Sequence, residues 1–165
     1  MDTIACGATI AFAIECYEKG IITKEQTGGL ELKWGDADTM LKVLDLIVKN
    51  EGPLGKVLSQ GSARAAKVWG NGADECLITF KGGEAPAHMP QAKRSLGLIY
   101  MVNPFGADHQ SSEHDGMIEE GASDLNMERL KLLGFDERLP YDSLGPDKIR
   151  YALKTQQFYS FLDTA

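Results

Sequence analysis

The stretch MDTIACGATIAFAIECYEKG, residues 1–20, is the most apolar segment of the chain. Apolar side chains recur at helical spacing between Thr3 and Lys19, and Gly20 stands where a helix C-cap is expected. Because apolar residues cover most sides of this helix, we expect it to be buried. The acidic residue at position 2 and the lack of a basic segment before the apolar run argue against a signal peptide.

Helical patterns continue beyond this segment. The sequence TKEQ, which begins at Thr23, is a capping box, and Gly28 and Gly29 would end the short helical turn that it starts. A longer helix is expected to begin at position 36 or 38 and to end near Asn50. Its predicted apolar face consists of Met40, Leu41, Leu44, Ile47 and Val48. Further helices are expected over residues 54–58, 62–69, 91–102, 126–133 and 146–162.

Strand patterns are scarce in this sequence. Only ECLITFKG, residues 75–82, alternates between apolar and polar side chains, and one strand cannot form a sheet. The sequence therefore predicts an all-α, multihelical fold of one or two closely packed helical domains, with at most one short strand or hairpin. A division of the region 1–165 into two subdomains, about 1–100 and 101–165, is compatible with this pattern.

Composition and charge exclude several classes of protein. The chain has 24 acidic and 17 basic side chains, a formal net charge of −7, and its basic residues are scattered. Nucleic acids and anionic membranes are therefore not expected partners. No apolar run approaches the roughly 20 residues that a membrane span requires. The three cysteines match no zinc or iron–sulfur ligand spacing, which indicates a reduced, cytoplasmic protein.

The stretch NPFGADHQSSEHDG, residues 103–116, lies in the longest irregular region and is dense in polar side chains. It is compatible with a metal site, a proton-transfer site or a solvated loop. His109, Glu113 and His114 could supply metal ligands for a small metallohydrolase, but the two histidines are five residues apart, and HQSSEH misses the pattern H-x-x-E-H. His88, between two prolines, is expected to be structural.

Four segments together resemble the aldehyde ferredoxin oxidoreductase family, and the resemblance covers essentially the whole chain. They are DTIACGATIAFAIECYEKG (residues 2–20), GLELKWGDADTM (29–40), GKVLSQGSARAA (55–66) and KGGEAPAHMPQAK (81–93). Their order and spacing agree with the helical second and third domains of that family. The resemblance implies a tungsten- or molybdenum-bis-pterin cofactor and a 4Fe-4S cluster in the full-length enzyme.

The resemblance also implies roles for both ends of the sequence. Asp2 matches the closing acid of the family's first pterin-binding motif, D-x-x-G-L-[CD], and Asp163 matches the opening acid of the second. The N-terminal cofactor-binding domain and the C-x-x-C-x-x-x-C cluster ligands have no counterpart in these residues. We therefore expect the isolated chain to bind no cofactor and to be inactive.

The loop gains a role from the same resemblance. Family members carry an N-x-R-G-A-x-H segment near the pterin and the metal, and His109 occupies the position of its histidine. Gly106 and Ala107 would allow the backbone to approach the cofactor closely. Phe105 replaces the arginine that would contact a pterin phosphate, and Ser111 replaces a basic residue of some relatives. His109 is thus the expected proton-transfer residue, and phosphate binding needs another source of positive charge.

The resemblance implies oxidation of an aldehyde-like substrate to an acid, with ferredoxin as electron acceptor and with the missing cofactor-binding domain as a partner. A homodimer is compatible with this interpretation. The alternatives are a stand-alone helical module that binds a partner subunit, and the small metallohydrolase described above.

Overall fold

The computed structural model describes residues 1–163, in which helices are the main secondary structure and the strands form one short hairpin. The predicted all-α, multihelical class is confirmed. The chain divides into two compact units, Met1–Pro86 and Ala87–Ala165, whereas the sequence had suggested a boundary near residue 100. Within the described residues, no helix has both the length and the apolar character needed to span a membrane.

The first unit is organised around the N-terminal helix. Its helices are α1 (Thr3–Glu18), α2 (Ala37–Lys49), α3 (Gly52–Leu58) and α4 (Ser62–Trp69), followed by a 3₁₀ helix (Ala73–Cys76) and strands β1 (Thr79–Phe80) and β2 (Gly83–Glu84). As predicted, α1 is largely buried, and the Phe12 ring stacks on Trp69 with a centroid distance of 5.5 Å. The predicted capping box is also present: Gln26 Oε1 accepts from the Thr23 N–H at 2.8 Å.

Helix α2 buries only part of the apolar face predicted for it, and it also buries Val43. Val43 and Ile47 enter the core, whereas Met40, Leu41 and Val48 are exposed. The reason is the sharp α2–α3 connection, where Asn50 has a left-handed φ of 54° and α3 packs closely against α2. A Cβ added to Gly55 would lie 2.3 Å from the Leu46 carbonyl oxygen, so only glycine permits this approach.

A carboxylate from the hairpin caps α4. Glu84 Oε1 accepts from the Ser62 N–H at 2.6 Å, from the Ser62 hydroxyl at 2.8 Å and from the Thr9 hydroxyl at 3.1 Å. The anion lies at the N-terminus of α4, where the helix dipole favours negative charge. β1 and β2 pair antiparallel, with Phe80 opposite Gly83, and thereby hold Glu84 in place.

The second unit contains α5 (Arg94–Val102), a 3₁₀ helix (Asp115–Met117), α6 (Asp124–Lys131) and α7 (Pro146–Asp163). α5 packs against α7. A separate apolar cluster is formed by Ile118, Met127, Leu130, Phe135 and Tyr151. Each unit therefore has its own hydrophobic core.

Candidate functional site

The long polar loop of the second unit is the candidate site. It leaves α5 at Asn103, whose side-chain oxygen accepts from the Phe105 N–H at 2.9 Å and whose amide also bonds the Ser111 hydroxyl. Gly106 is buried and has a φ of 96°, a backbone conformation that a residue with a Cβ adopts rarely. These contacts bend the loop between Asn103 and Ser111 and position His109.

All three histidines of the chain meet at this loop. The ring centroid of His88 lies 4.9 Å from that of His109 and 4.7 Å from that of His114, and the last two are 5.8 Å apart. All three rings are half-buried. The sequence interpretation had treated His88 as structural and His114 as part of a solvated loop. The fold instead places both rings beside the predicted proton-transfer residue, a set that we call the histidine cluster.

Lys93 completes the histidine cluster. Its Nζ lies 2.9 Å from Nδ1 of His88 and 3.3 Å from Nδ1 of His114. An ammonium group only donates, so both Nδ1 atoms accept, and the neutral rings carry their protons on Nε2. The second contact of His114 agrees with this, because its Nε2 lies 2.8 Å from the His109 carbonyl oxygen, which only accepts.

The tautomer of His109 depends on its neighbour. Its Nε2 lies 2.8 Å from the side-chain nitrogen of Gln110. If that amide nitrogen donates, His109 carries its proton on Nδ1. If the amide is turned over, its oxygen accepts from Nε2–H, and Nδ1 becomes the proton acceptor. Rotation of one amide therefore exchanges the two neutral tautomers of this ring and decides whether Nδ1 donates or accepts.

The environment favours neutral imidazoles. Burial lowers the pKa of His88, and the positive charges of Lys93, His114 and His109 lower it further. Burial also lowers the pKa of His109, with contributions from His114 and Lys93, while the carboxylate of Asp108 acts in the opposite direction. These two rings are therefore neutral at pH 7 and able to exchange protons.

A buried ion pair joins the loop to the helices of the second unit. Asp115 and Lys148 are both fully buried, and Lys148 Nζ lies 2.7 Å from Asp115 Oδ1. The same carboxylate accepts from the Ser95 N–H at 3.2 Å, the Ser95 hydroxyl at 2.6 Å and the Leu96 N–H at 3.4 Å, and so caps α5. Asp115 therefore holds the loop to α5 and α7.

Two further bonds fix the loop to α7. The Tyr151 hydroxyl donates to the His114 carbonyl oxygen at 2.9 Å, and the Tyr159 hydroxyl donates to Glu113 Oε2 at 3.0 Å. Burial raises the pKa of Tyr159 to about 12, and the neighbouring Glu113 carboxylate adds to this effect. Glu113 therefore serves as an acceptor for a neutral phenol.

The remaining predicted site residues lie in three places. Phe105, Gly106, Ala107 and Ser111 share the loop with His109, and the Phe105 side chain is 85% exposed. Asp163 is the exposed last residue of α7. Asp2 belongs to the first unit, where its Oδ1 caps α1 by accepting from the N–H groups of residues 4 and 5.

The geometry does not support the metallohydrolase alternative. Across residues 1–163, no group of three or more His, Cys, Asp or Glu side chains is arranged to hold a metal ion. Glu113 is bonded to Tyr159, and the His114 ring is bonded at both nitrogens. His109, Glu113 and His114 therefore do not converge as a ligand set.

Comparison with known proteins identifies the family. The family model for "Aldehyde ferredoxin oxidoreductase, domains 2 & 3" matches residues 1–165. The tungsten-containing aldehyde ferredoxin oxidoreductase of Pyrococcus furiosus is 31% identical over 166 residues, which is 100% of this chain and 25% of the relative. The corresponding enzyme of Thermococcus kodakarensis is 27% identical, with the same coverage of both chains.

A third relative differs in its described substrate. The "Aliphatic sulfonate oxidoreductase, WOR-like subunit" of Pyrococcus furiosus is 36% identical over 118 residues, which is 68% of this chain and 19% of the relative. The chain spans about a quarter or less of the length of these three relatives. The match over all 165 residues places the chain in the aldehyde ferredoxin oxidoreductase family, where it corresponds to domains 2 and 3.

Proposed function

We propose that this chain forms the helical part of a tungsten-pterin oxidoreductase that oxidises an aldehyde-like substrate to an acid, with ferredoxin as electron acceptor. We further propose that the loop carrying His109 lines the substrate cavity. The observation that carries the proposal is the family match over all 165 residues, together with a half-buried, neutral imidazole at the predicted proton-transfer position. Because the chain spans a quarter of its tungsten-containing relatives, the reaction is proposed for the polypeptide that contains it.

The residues of the loop fit one side of an anionic cofactor. Lys93, which directly precedes α5, supplies a positive charge that Phe105 cannot provide. The buried hydroxyl of Ser112 has no hydrogen-bond partner within residues 1–163 and is a further donor. When bound, the tungsten-pterin group would supply the redox chemistry. A molybdenum-pterin group would place the same demands on these side chains.

The cysteines of the chain do not fit an iron–sulfur cluster. Cys6, Cys16 and Cys76 are buried in the core of the first unit and have free thiols. Burial, followed by the neighbouring Cys76, raises the pKa of Cys16 to about 12, which opposes the thiolate form that a cluster requires. The cluster that passes electrons to ferredoxin would therefore be held by residues outside this set.

The proposed role of His109 is to move a proton at the substrate oxygen. Oxidation of an aldehyde with water to the acid releases an electron pair and protons, and a neutral imidazole can accept one of those protons. The ring accepts at Nδ1 when the Gln110 amide oxygen receives Nε2–H, and it donates from Nδ1 in the other amide orientation. Burial, with contributions from His114 and Lys93, disfavours the imidazolium form of His109, so a captured proton is readily released.

The test uses the full polypeptide that contains this sequence, loaded with its cofactors. We expect His109→Asn to lower kcat by about 10²–10⁴-fold, the usual contribution of general acid–base catalysis, without loss of tungsten. Gln110→Leu should shift the pH profile of kcat without a comparable loss of the maximum rate. Unchanged kcat in His109→Asn at full tungsten occupancy would refute the assignment.

A second candidate function is a helical module that binds a partner subunit. One relative is described as a subunit, and α7 exposes the apolar side chains of Ile149, Leu153, Phe158 and Leu162. α6 and α7 also border an apolar cavity of about 490 Å³. Under this function, co-expression with the polypeptide encoded next to it would give a stable complex in size-exclusion chromatography, and Leu153→Glu would weaken that complex.

A further inference from the structure

Lys93 is a cation without a carboxylate partner. Its Nζ contacts imidazole nitrogens of His88 and His114, and the ion pairs found within residues 1–163 do not include it. Five other lysines pair with carboxylates in the described residues, as Lys49 does with Asp45 at 2.6 Å, whereas the half-buried Lys93 ammonium is held between two imidazole nitrogens. An unpaired, half-buried ammonium in a chain of net charge −7 marks a site that favours an added anion.

The nearby carboxylates have other partners. Asp108 Oδ1 accepts from the Gln110 N–H at 2.8 Å, and its charge raises the pKa of both His109 and Tyr100. Glu113 accepts from the Tyr159 hydroxyl and from the His114 N–H. The cluster itself contains four titratable groups, which are Lys93 and the three imidazoles. The contacts above connect three more titratable groups to it: Asp108, Glu113 and Tyr159. None of these carboxylates forms an ion pair with Lys93 in the described part of the chain.

We propose that Lys93 and the histidine cluster form a binding site for a small oxyanion, a carboxylate or a sulfonate. Lys93 provides the charge and Nε2–H of His88 a directional donor, and Nδ1–H of His109 is a second donor when the Gln110 amide nitrogen donates to Nε2 of that ring. Hydrogen bonds from charged donors to oxyanions are about twice as strong as those between neutral groups. The proposal concerns binding alone, so it can hold or fail independently of the reaction proposed above.

Proton uptake accompanies binding at this site. Burial and then nearby positive charges, Lys93 among them, lower the pKa values of His88 and His109, and a bound anion offsets the contribution of Lys93. Protonation then becomes easier, and each protonated ring attracts the anion more strongly. By linkage, the anion binds more tightly at pH 6 than at pH 8, and it raises the pKa of the imidazoles that it contacts.

The experiment measures the imidazole C–H resonances of the 165-residue chain by NMR. The chain has three histidines and all of them belong to the cluster, so each imidazole signal reports on the proposed site. Propionate and ethanesulfonate are titrated separately at pH 6.5 in low-salt Bis-Tris, a buffer without an oxyanion, since added salt screens the interaction. Propionamide is the neutral control for propionate.

We expect at least one of the two anions to give saturable shifts and to raise the midpoints of the imidazole pH titrations. Lys93→Met should weaken its affinity by at least about tenfold, whereas Lys93→Arg and the exposed control Lys131→Met should retain it. The anion with the higher affinity identifies the ligand class.

Two results would overturn the proposal. One is a set of shifts for both anions no larger than those caused by propionamide. The other is equal anion affinity in the wild-type chain and in Lys93→Met. If Lys93→Met does not fold, His88→Gln replaces it. That variant keeps polar atoms at the position but cannot be protonated, so it should lose part of the difference in affinity between pH 6 and pH 8. An unchanged difference would also contradict the proposal.

Discussion

Removal of the Asp115 carboxylate should be among the most damaging single changes in the second unit. Asp115 and Lys148 are both fully buried, and their charged atoms are 2.7 Å apart. Asp115→Ala would leave the ammonium with a 3.4 Å contact to the Tyr141 carbonyl oxygen and would uncap Ser95 at the start of α5. Breaking a buried pair on one side costs about 3–5 kcal/mol, so we expect a loss of that size in the free energy of unfolding.

Urea unfolding followed by circular dichroism measures this loss, and a double-mutant cycle with Lys148→Met separates the pair energy from the cap. Asp115→Ala combined with Lys148→Met should cost clearly less than the sum of the two single changes, because neither charge is then left alone. Asp45→Ala, which breaks an exposed pair with Lys49, is the matched control and should leave the midpoint nearly unchanged. Additive single-variant costs, or a loss in Asp115→Ala as small as in the control, would refute the reasoning.

Three further perturbations test the remaining contacts. Gly55→Ala should lower the free energy of unfolding by about 1–3 kcal/mol through overpacking, because its Cβ would lie 2.3 Å from a carbonyl oxygen of α2. Gly7→Ala in α1, where the added methyl meets open space, should raise it by about 0.5–1 kcal/mol; equal effects in urea titrations would contradict this. Glu84→Ala should lower the thermal unfolding midpoint more than Glu84→Gln, since the amide oxygen can still accept at α4, and an unchanged midpoint in both would exclude the capping role. Finally, the pKa values of His88 and His109 lie below the unfolded value near 6.5, so the unfolded chain binds more protons just below that pH. The free energy of unfolding should therefore fall as the pH is lowered from 6.5 towards 5. A double variant with glutamine at positions 88 and 109 should lose less of it. Equal losses in the wild-type chain and the double variant would show that these two histidines are not the cause.

Two of the segments that carry the family resemblance contact each other in the fold. GKVLSQGSARAA contains Ser62 at the start of α4, and KGGEAPAHMPQAK contains Glu84, the carboxylate that caps it. The second segment also carries His88 and Lys93 of the histidine cluster. The sequence was enough to recognise these segments. It did not predict that Glu84 caps α4, because a cap formed between residues more than twenty positions apart leaves no periodic signal.

Local periodicity was enough to predict the helices. Hydrophobic spacing, capping residues and glycines act within a few residues along the chain, so α1, α4 and α7 were predicted to within two residues at each end. The apolar face of α2 was wrong in part, because the sharp turn at Asn50 and the close approach of Gly55 determine which side chains are buried. Periodicity indicates that a helix has an apolar face, whereas its neighbours decide how much of that face they cover.

The sequence by itself determined the helical class and the family, and it predicts His109 as the proton-transfer residue. The tertiary structure alone decided that His88, His114 and Lys93 lie around that residue and that Asp115 is buried with Lys148. The physical reason is the difference in range between the interactions that form helices and those that set the state of a side chain. Helix formation depends on contacts four residues apart, while the charge and tautomer of an imidazole depend on atoms within about 5 Å in space, regardless of their separation along the chain.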